Sequence, residues 1–366
     1  MTLEQEFQIK LARVRSLMRR KELDGVFLKR QDDFAWLSCG GRNYVGAGDL
    51  GNCGLLVTQD EHCAVTSTIE ARRMLEEENL GALGFVMRAG AWHDAAFEAE
   101  TIEAVVPSGR VGYDFGCGNN VAGDVKELRL ELTEGEVEKY QEAGSLASRA
   151  MEETACGIRP GDSEYAIAAR IMQNMETCGL ELVSCMVAAD ERISDYRHPL
   201  PTVRRVEKRV QIGGNFKMHG LIVCMTRYVN FVPVSSELRR QYRETQRIDC
   251  IYMANSIPGE SYQRPLLAGK AAYEEIGRGG EFDMHHQGGP IGYAGRDYRV
   301  DFTVAGTMKN HKAFCWNPTN TGTKSEDTVI VSKAGVEMIS RPVIFPKASI
   351  EACGATFIRP DILELF

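Results

Sequence analysis

Helix-like and strand-like patterns of hydrophobic residues alternate in the first third of the chain. In the opening stretch, apolar residues recur every three or four positions with charges between them, which predicts an amphipathic helix. Its apolar face consists of Phe7, Leu11, Val14 and Met18. Short runs typical of strands follow at 26–29, 54–58, 62–67, 84–88 and 111–115, with a helical pattern at 69–78. This alternation predicts an α/β domain over residues 1–128.

The pattern changes after this first domain. Thr133 followed by Glu136 has the spacing of a capping box, which predicts the start of a long helix. A second amphipathic helix follows, with Asp162 or Ser163 as its N-cap. Beyond it the runs are mainly strand-like. We therefore expect an α+β domain over residues 129–366, with helices first and then a predominantly antiparallel sheet.

Composition and charge exclude several classes of protein. The 366 residues are 43% hydrophobic and 26% charged, with a net charge of −8, whereas a general nucleic-acid binder needs an excess of Lys and Arg. No apolar run approaches the roughly 20 residues that span a bilayer, and the first residues lack a signal-peptide pattern. Eleven cysteines lack C-x-x-C spacing, which fits reduced thiols. We expect a cytoplasmic protein that binds neither nucleic acid nor membrane.

Six segments, taken in order, resemble one known superfamily. They are residues 23–39, 133–181, 197–214, 224–229, 285–293 and 325–340. They are similar to the pita-bread superfamily, especially its branch of aminopeptidase P, Xaa-Pro dipeptidase and creatinase. The resemblance implies an α/β N-terminal domain followed by an α+β pita-bread (creatinase/aminopeptidase) C-terminal domain. By analogy with that branch, it also implies a homodimer.

The resemblance also locates the metal ligands of the active peptidases, which bind two divalent ions through two Asp, one His and two Glu. The matching positions here hold Gly213, Cys224, Gly289, Asn317 and Glu326. A divalent metal site needs several deprotonated ligands at fixed distances. One carboxylate and one thiol do not supply them. We therefore expect no dinuclear metal site, no metal cofactor and no metal-dependent peptidase activity.

Two histidines match family positions that handle protons or touch substrate. His198 matches a histidine that serves creatinase as catalytic acid and base, a role suited to an imidazole near neutral pH. The alternative is a structural histidine that hydrogen-bonds a loop. His285 matches a histidine beside the substrate. Its alternative is a packed strand residue, with the side chain of His286 on the opposite sheet face.

Four further residues are candidates for substrate binding. Arg296 resembles an arginine that clamps a substrate carboxylate in creatinase, and its alternative is an ion pair with a neighbouring carboxylate. Arg42 is the candidate for a second clamp, donated across a dimer. Glu326 would bind a cationic substrate group. Cys224 would face the emptied metal cavity, either as a thiol activated by His198 or His285 or as a small apolar filler.

Three functions follow as hypotheses. The first is a metal-independent, creatinase-like hydrolase of a small amino-acid-derived substrate that carries a carboxylate and an amide or guanidino group. The second is a catalytically inactive pseudo-peptidase that acts as a binding protein. The third is an Xaa-Pro aminopeptidase or dipeptidase, which would require bound metal.

Overall fold

The computed structural model describes residues 1–116 and 118–366. Their backbone divides into two compact units. The N-terminal unit comprises Met1–Gly135 with His219–Leu221, and the C-terminal unit comprises Glu136–Met218 with Ile222–Phe366. Among the described residues, no helix combines the length and the apolar character needed to cross a bilayer.

The N-terminal unit is built on one mixed sheet with helices. The helices are α1 (Leu3–Lys21), α2 (Gln31–Leu37), α3 (Ala71–Glu76), α4 (Phe97–Val105) and α5 (Ala122–Leu128). The strands are β1 (Gly25–Arg30), β2 (Leu50–Val57), β3 (His62–Ser67), β4 (Val86–Gly90) and β5 (Val111–Tyr113). Their order is β4–β3–β2–β1–β5, with β1 parallel to β5 and antiparallel to β2. The predicted α/β class of this domain is confirmed.

Helix α1 forms where the apolar spacing predicts it. Its four predicted apolar residues are fully buried or nearly so. The Thr2 side chain accepts a hydrogen bond from the backbone N–H of Gln5, and the Gln5 side chain accepts one from the N–H of Thr2. The helix ends at Lys21, and the left-handed backbone of the capping residue Glu22 (φ 55°) directs the chain toward β1. The predicted strand at 84–88 begins two residues later, at Val86.

The C-terminal unit surrounds a second sheet. Its helices are α6 (Glu134–Gly157), α7 (Glu164–Thr177), α8 (Arg192–Asp195), α9 (Ser236–Asn255), α10 (Gln263–Glu275) and a 3-10 helix (Gly279–Met284). Its first strands are β6 (Glu181–Ala189), β7 (Arg209–Met218), β8 (Leu221–Asn230), β9 (Gly288–Pro290), β10 (Lys312–Trp316), β11 (Thr319–Asn320) and β12 (Thr323–Lys324). The remaining strands are β13 (Asp327–Ser332), β14 (Gly335–Met338), β15 (Lys347–Ala352), β16 (Ala355–Pro360) and β17 (Leu363–Glu364).

The main sheet of this unit has the order β6–β7–β8–β13–β10–β9. The pairs β6–β7, β8–β13, β13–β10 and β10–β9 are antiparallel, as predicted. Ser163 is the N-cap of α7, where its side chain accepts from the N–H of Ala166. Helices α6 and α7 come first, as predicted, but α9 and α10 then interrupt the strands, which the prediction missed. Helix α9 buries Thr245, Gln246 and Asp249 among apolar residues, which weakens the apolar stripe that marks a helix.

A buried network of ion pairs anchors the middle of this sheet. Arg227 on β8 lies 3.1 Å from Glu152 of α6 and 2.9 Å from Asp327 of β13. Arg359 on β16 bridges Asp327, at 3.0 Å, and Asp249 of α9, at 2.5 Å. Because each charge is buried, removing one member would leave its partners uncompensated. The network therefore ties β8 and β13 to the helices that pack on them.

Candidate functional site

A cavity of about 600 Å³ lies in the C-terminal unit. Its volume falls within the range of small-molecule sites. It is lined by Ser184, Met186, His198, Leu200, Asn215, His286, Gly295, Arg296, Arg299, Asn317, Lys324 and Glu326. The alternation of side chains along β10 explains one part of this wall. Phe314 and Trp316 of this strand face the apolar core. Asn317 therefore continues the opposite face of that strand, toward the cavity.

A cluster of histidines forms one side of the site. His198 follows α8, and the pair of residues 285–286 follows the 3-10 helix. The Nε2 atoms of His198 and His285 lie 2.9 Å apart. His198 and His286 line the cavity, while His285 is only 8% exposed. The structure thus brings both predicted catalytic histidines together, with His198 at the cavity wall.

The orientation of His285 and His286 differs from the prediction. Their rings stack, with centroids 4.5 Å apart, so they do not point to opposite faces of a sheet. The reason is that both residues precede β9, which begins at Gly288, and lie outside any strand. His286 was consequently missed as a lining residue.

The surroundings of the three rings favour their neutral forms. Burial lowers the pKa of His285 to about 2, and the positive charge of Lys324 acts in the same direction. Burial, together with the charge of Arg296, lowers the pKa of His286 to about 4. The pKa of His198 is lowered by burial and by Lys324. In the contact between His198 and His285, one neutral ring therefore donates its N–H and the other accepts.

Glu326 is the buried carboxylate of the site, and it is paired. Its carboxylate lies 3.0 Å from Nζ of Lys324 and 3.7 Å from the guanidinium of Arg296. The hydroxyl of Thr226 donates to it at 2.7 Å. Burial alone would raise the pKa of Glu326, but the two cations outweigh it and lower the pKa to about 2. Glu326 is thus ionised and neutralised by protein side chains.

Arg296 connects this carboxylate to two buried thiols. Its guanidinium nitrogens lie 3.6 Å from Sγ of Cys224 and 3.6 Å from Sγ of Cys315. A hydrogen bond with Cys315 lowers the pKa of the Cys224 thiol against the effect of its burial, and Arg296 adds to the lowering. Within the described residues, Cys224 forms no hydrogen bond with His198 or His285. The predicted thiol–imidazole pair is therefore not formed in this structure.

The residues predicted to match the family's metal positions do not fit a dinuclear site. A Cβ added to Gly213 would lie 2.9 Å from the carbonyl oxygen of Met225, and one added to Gly289 would lie 2.4 Å from that of Tyr298. Backbone atoms thus occupy the space that donor side chains would need. The single retained carboxylate, on Glu326, is already paired with cations. Divalent ions require several anionic or imidazole donors, which these positions do not supply.

The histidine cluster is a different set of donors. One ring nitrogen from each of His198, His285 and His286 lies within 4.8 Å of the others, a spacing that suits one transition-metal ion. The charges of Lys324 and Arg296, which disfavour protonation of these rings, also disfavour a cation bound to them. The site therefore has donors for a metal but an electrostatic field that opposes one.

Arg42 lies in the N-terminal unit. Its backbone N–H donates to the carboxylate of Glu78 at 2.7 Å, and its guanidinium lies 3.6 Å from the same group. About half of the Arg42 side chain is exposed. Its role as a clamp across a dimer stays a prediction.

Asn215, Lys324 and Arg299 are among the lining residues of the cavity that were not predicted. Asn215 and Lys324 could have been found from strand alternation, because they lie two residues from Gly213 and Glu326. Arg299 follows β9 in an irregular segment, where no periodicity assigns a side chain to a face.

Solved structures resemble this chain along nearly its whole length. An Xaa-Pro dipeptidase from Bacillus anthracis is 19% identical, covers 98% of this chain and 100% of its own, and has a TM-score of 0.75. An X-Pro aminopeptidase from Thermotoga maritima MSB8 is 18% identical, with coverages of 97% and 99% and a TM-score of 0.75. The N-terminal domain of FACT complex subunit SPT16 from Cicer arietinum (chickpea) is 10% identical, with coverages of 93% and 97% and a TM-score of 0.70.

No protein-family model and no curated protein matches the chain by sequence. At identities below 20%, these structural matches establish the fold rather than the activity. The matched structures cover both units of the chain, that is, both the mixed N-terminal sheet and the antiparallel C-terminal sheet. The chain therefore has the pita-bread fold, in its two-domain form with an α/β N-terminal domain.

Proposed function

We propose that this chain is a metal-independent, creatinase-like hydrolase of a small amino-acid-derived carboxylic acid, with His198 as catalytic acid and base. The observation that most supports the proposal is the 2.9 Å contact between His198 and His285 at the wall of the cavity. The similarity to Xaa-Pro dipeptidase and X-Pro aminopeptidase structures is compatible with hydrolysis of a bond to nitrogen.

The chemistry requires one group that moves a proton. As the oxygen of a water molecule bonds to the substrate carbonyl carbon, His198 accepts a proton from that water. The carbon–nitrogen bond then breaks, and the same imidazole returns the proton to the leaving nitrogen. The lowered pKa of His198 keeps its ring unprotonated at neutral pH, as the first step needs.

His285 acts as a positioning residue. Its buried ring is held 2.9 Å from His198 and restricts that ring to one orientation. Because burial lowers its pKa to about 2, His285 stays neutral while His198 gains and loses a proton.

Arg296 anchors the substrate carboxylate. It lines the cavity, and its Nε atom is buried without a hydrogen-bond partner among the described residues. A guanidinium binds a carboxylate through parallel N–H donors. A homodimer in which Arg42 of one protomer reaches the site of its partner is part of the proposal, and sedimentation analysis tests the dimer.

The test is turnover of a panel of small amide and guanidino acids by purified protein treated with a chelator. We expect His198→Ala to lower turnover by about 10²-fold or more, since that is the usual contribution of a general acid–base. The matched control is His93→Ala, an exposed histidine of the N-terminal unit. Both variants should melt at the wild-type temperature.

Two results would overturn the proposal. One is turnover that the chelator abolishes and that added Mn²⁺ or Zn²⁺ restores, which would favour a metal-dependent Xaa-Pro peptidase. The other is turnover that His198→Ala and His93→Ala retain equally.

A non-catalytic binding protein is the second candidate. The observation that favours it is the TM-score of 0.70 with an SPT16 domain, a subunit of a complex rather than a peptidase by its name. Turnover that depends on His198 would exclude this candidate.

A further inference from the structure

Three polar atoms in the cavity wall are buried and have no hydrogen-bond partner among the described residues. They are Oγ of Ser184 and the Oδ1 atoms of Asn215 and Asn317. A buried polar atom without a partner costs folding free energy, so native structures rarely retain several together unless a ligand or water completes them. Two of the three are amide oxygens, which only accept. A ligand group that completes these two oxygens donates N–H or O–H.

The charges in the wall are unequal. Arg296, Arg299 and Lys324 are cationic, whereas Glu326 is the one carboxylate among the described residues that line the cavity. Lys324 lies 3.0 Å and Arg296 lies 3.7 Å from Glu326, so that carboxylate is already compensated. Within residues 1–116 and 118–366, Arg299 forms no ion pair, and it is exposed at the cavity. The excess positive charge favours a ligand with a carboxylate.

The same charges disfavour a ligand with a cationic nitrogen group. A guanidinium needs a carboxylate to offset its loss of hydration. A creatine-like acid would therefore need an unpaired carboxylate in the cavity wall. Glu326 accepts from Thr226 and Lys324, and the Asn317 amide stands where a second family carboxylate would be. Amide oxygens can accept hydrogen bonds from neutral N–H groups without any charge to compensate.

We propose that the cavity binds an acid whose nitrogen end is neutral, namely an N-acyl or N-carbamoyl amino acid rather than a guanidino acid. Arg299 and Arg296 bind the carboxylate. The amide or urea N–H groups donate to Oδ1 of Asn215 and Asn317. This inference rests on the proposed function and narrows its substrate class.

The experiment compares two probes of nearly equal shape by isothermal titration calorimetry. N-carbamoylsarcosine and creatine differ only in that a neutral C=O replaces the charged C=NH₂⁺. We expect N-carbamoylsarcosine to bind about tenfold more tightly or better, because a buried, unpaired charge is penalised far more than a neutral group. Tighter binding of creatine, or binding of neither probe, would overturn the proposal.

Two variants test which residues bind the nitrogen end and the carboxylate end of the ligand. Asn317→Asp adds a carboxylate of the same size and should shift the preference toward creatine by about tenfold, since a close opposite charge favours the cationic probe. Arg299→Gln should weaken N-carbamoylsarcosine about tenfold by removing a charge-assisted hydrogen bond. Arg240→Gln, on the exposed face of α9, is the matched control. An unchanged preference in Asn317→Asp would contradict the assigned orientation.

Binding and turnover separate this inference from the proposed function. If N-carbamoylsarcosine binds more tightly than creatine but is not hydrolysed, the ligand class stands and the hydrolase proposal fails. If guanidino acids are hydrolysed in a His198-dependent manner and bind more tightly, the hydrolase proposal stands and this inference fails.

Discussion

Replacing Glu326 by Gln tests whether the paired carboxylate stabilises the fold of the cavity wall. The side chain is 2% exposed and lies 3.0 Å from Lys324 and 3.7 Å from Arg296. Glutamine keeps the size of the residue and the hydrogen bond from Thr226, but it removes the negative charge. Lys324 and Arg296 would then face each other without compensation.

The pKa of Glu326 sets the magnitude of the expected loss. Its value of about 2 in the folded chain lies well below the usual 4.5, because the two cations outweigh the effect of burial. A difference of that size corresponds to about 3 kcal/mol of stability at neutral pH. Because the folded-state pKa is lowered, this stability is present above about pH 4.5 and is lost as the pH falls toward 2.

The assay is urea-induced unfolding of wild type and Glu326→Gln at a series of pH values from 7 to about 3, a range that crosses the usual pKa of a glutamate. We expect a difference of about 3 kcal/mol at pH 7 that shrinks below about pH 4.5. Glu237→Gln is the matched control, because that glutamate is exposed in its pair with Arg240. Its effect should be small at every pH, as for other exposed ion pairs.

A difference between wild type and Glu326→Gln that stays constant from pH 7 down to about pH 3 would refute the reasoning. It would mean that packing or hydrogen bonding, rather than the charge of Glu326, stabilises this part of the fold. An equal loss in Glu237→Gln would refute it too, since burial is what distinguishes the two carboxylates.

Three further predictions concern other parts of the molecule. Gly54→Ala should destabilise the N-terminal unit by about 1–3 kcal/mol in urea unfolding, because its Cβ would lie 2.1 Å from the ring of Phe27; an unchanged midpoint would contradict this. Glu152→Gln should cost about 3–5 kcal/mol, measured in the same way, because it leaves the buried Arg227 with Asp327 alone, a carboxylate that also pairs with Arg359. NMR titration should show His285 neutral down to about pH 5 and, in Lys324→Met, a higher pKa for this ring. Titration near pH 6.5 in wild type would contradict the first statement, and an unchanged pKa in Lys324→Met would contradict the second.

Local patterns were sufficient to predict most of the fold. The apolar spacing of α1, the strand runs of the first sheet and the N-cap at Ser163 are properties of short segments, so the sequence predicts them directly. The order of the resembling segments predicted the pita-bread architecture that the structural matches show. Helix α9 was not predicted, because its buried face includes the polar residues Thr245, Gln246 and Asp249. Those residues are buried only because tertiary partners such as Arg359 compensate them.

The candidate site, too, has features that the sequence predicts and features that only the tertiary structure decides. The sequence by itself supplied the prediction that Gly213, Cys224, Gly289 and Asn317 match the family's metal positions, since this needs only residue identities and their order. Only the tertiary structure decided the partners. It joins His198 to a histidine 87 residues away and directs the Cys224 thiol toward Arg296 rather than an imidazole. Hydrogen bonds and charges act over a few ångströms in space, so residues distant along the chain set the chemistry of each group.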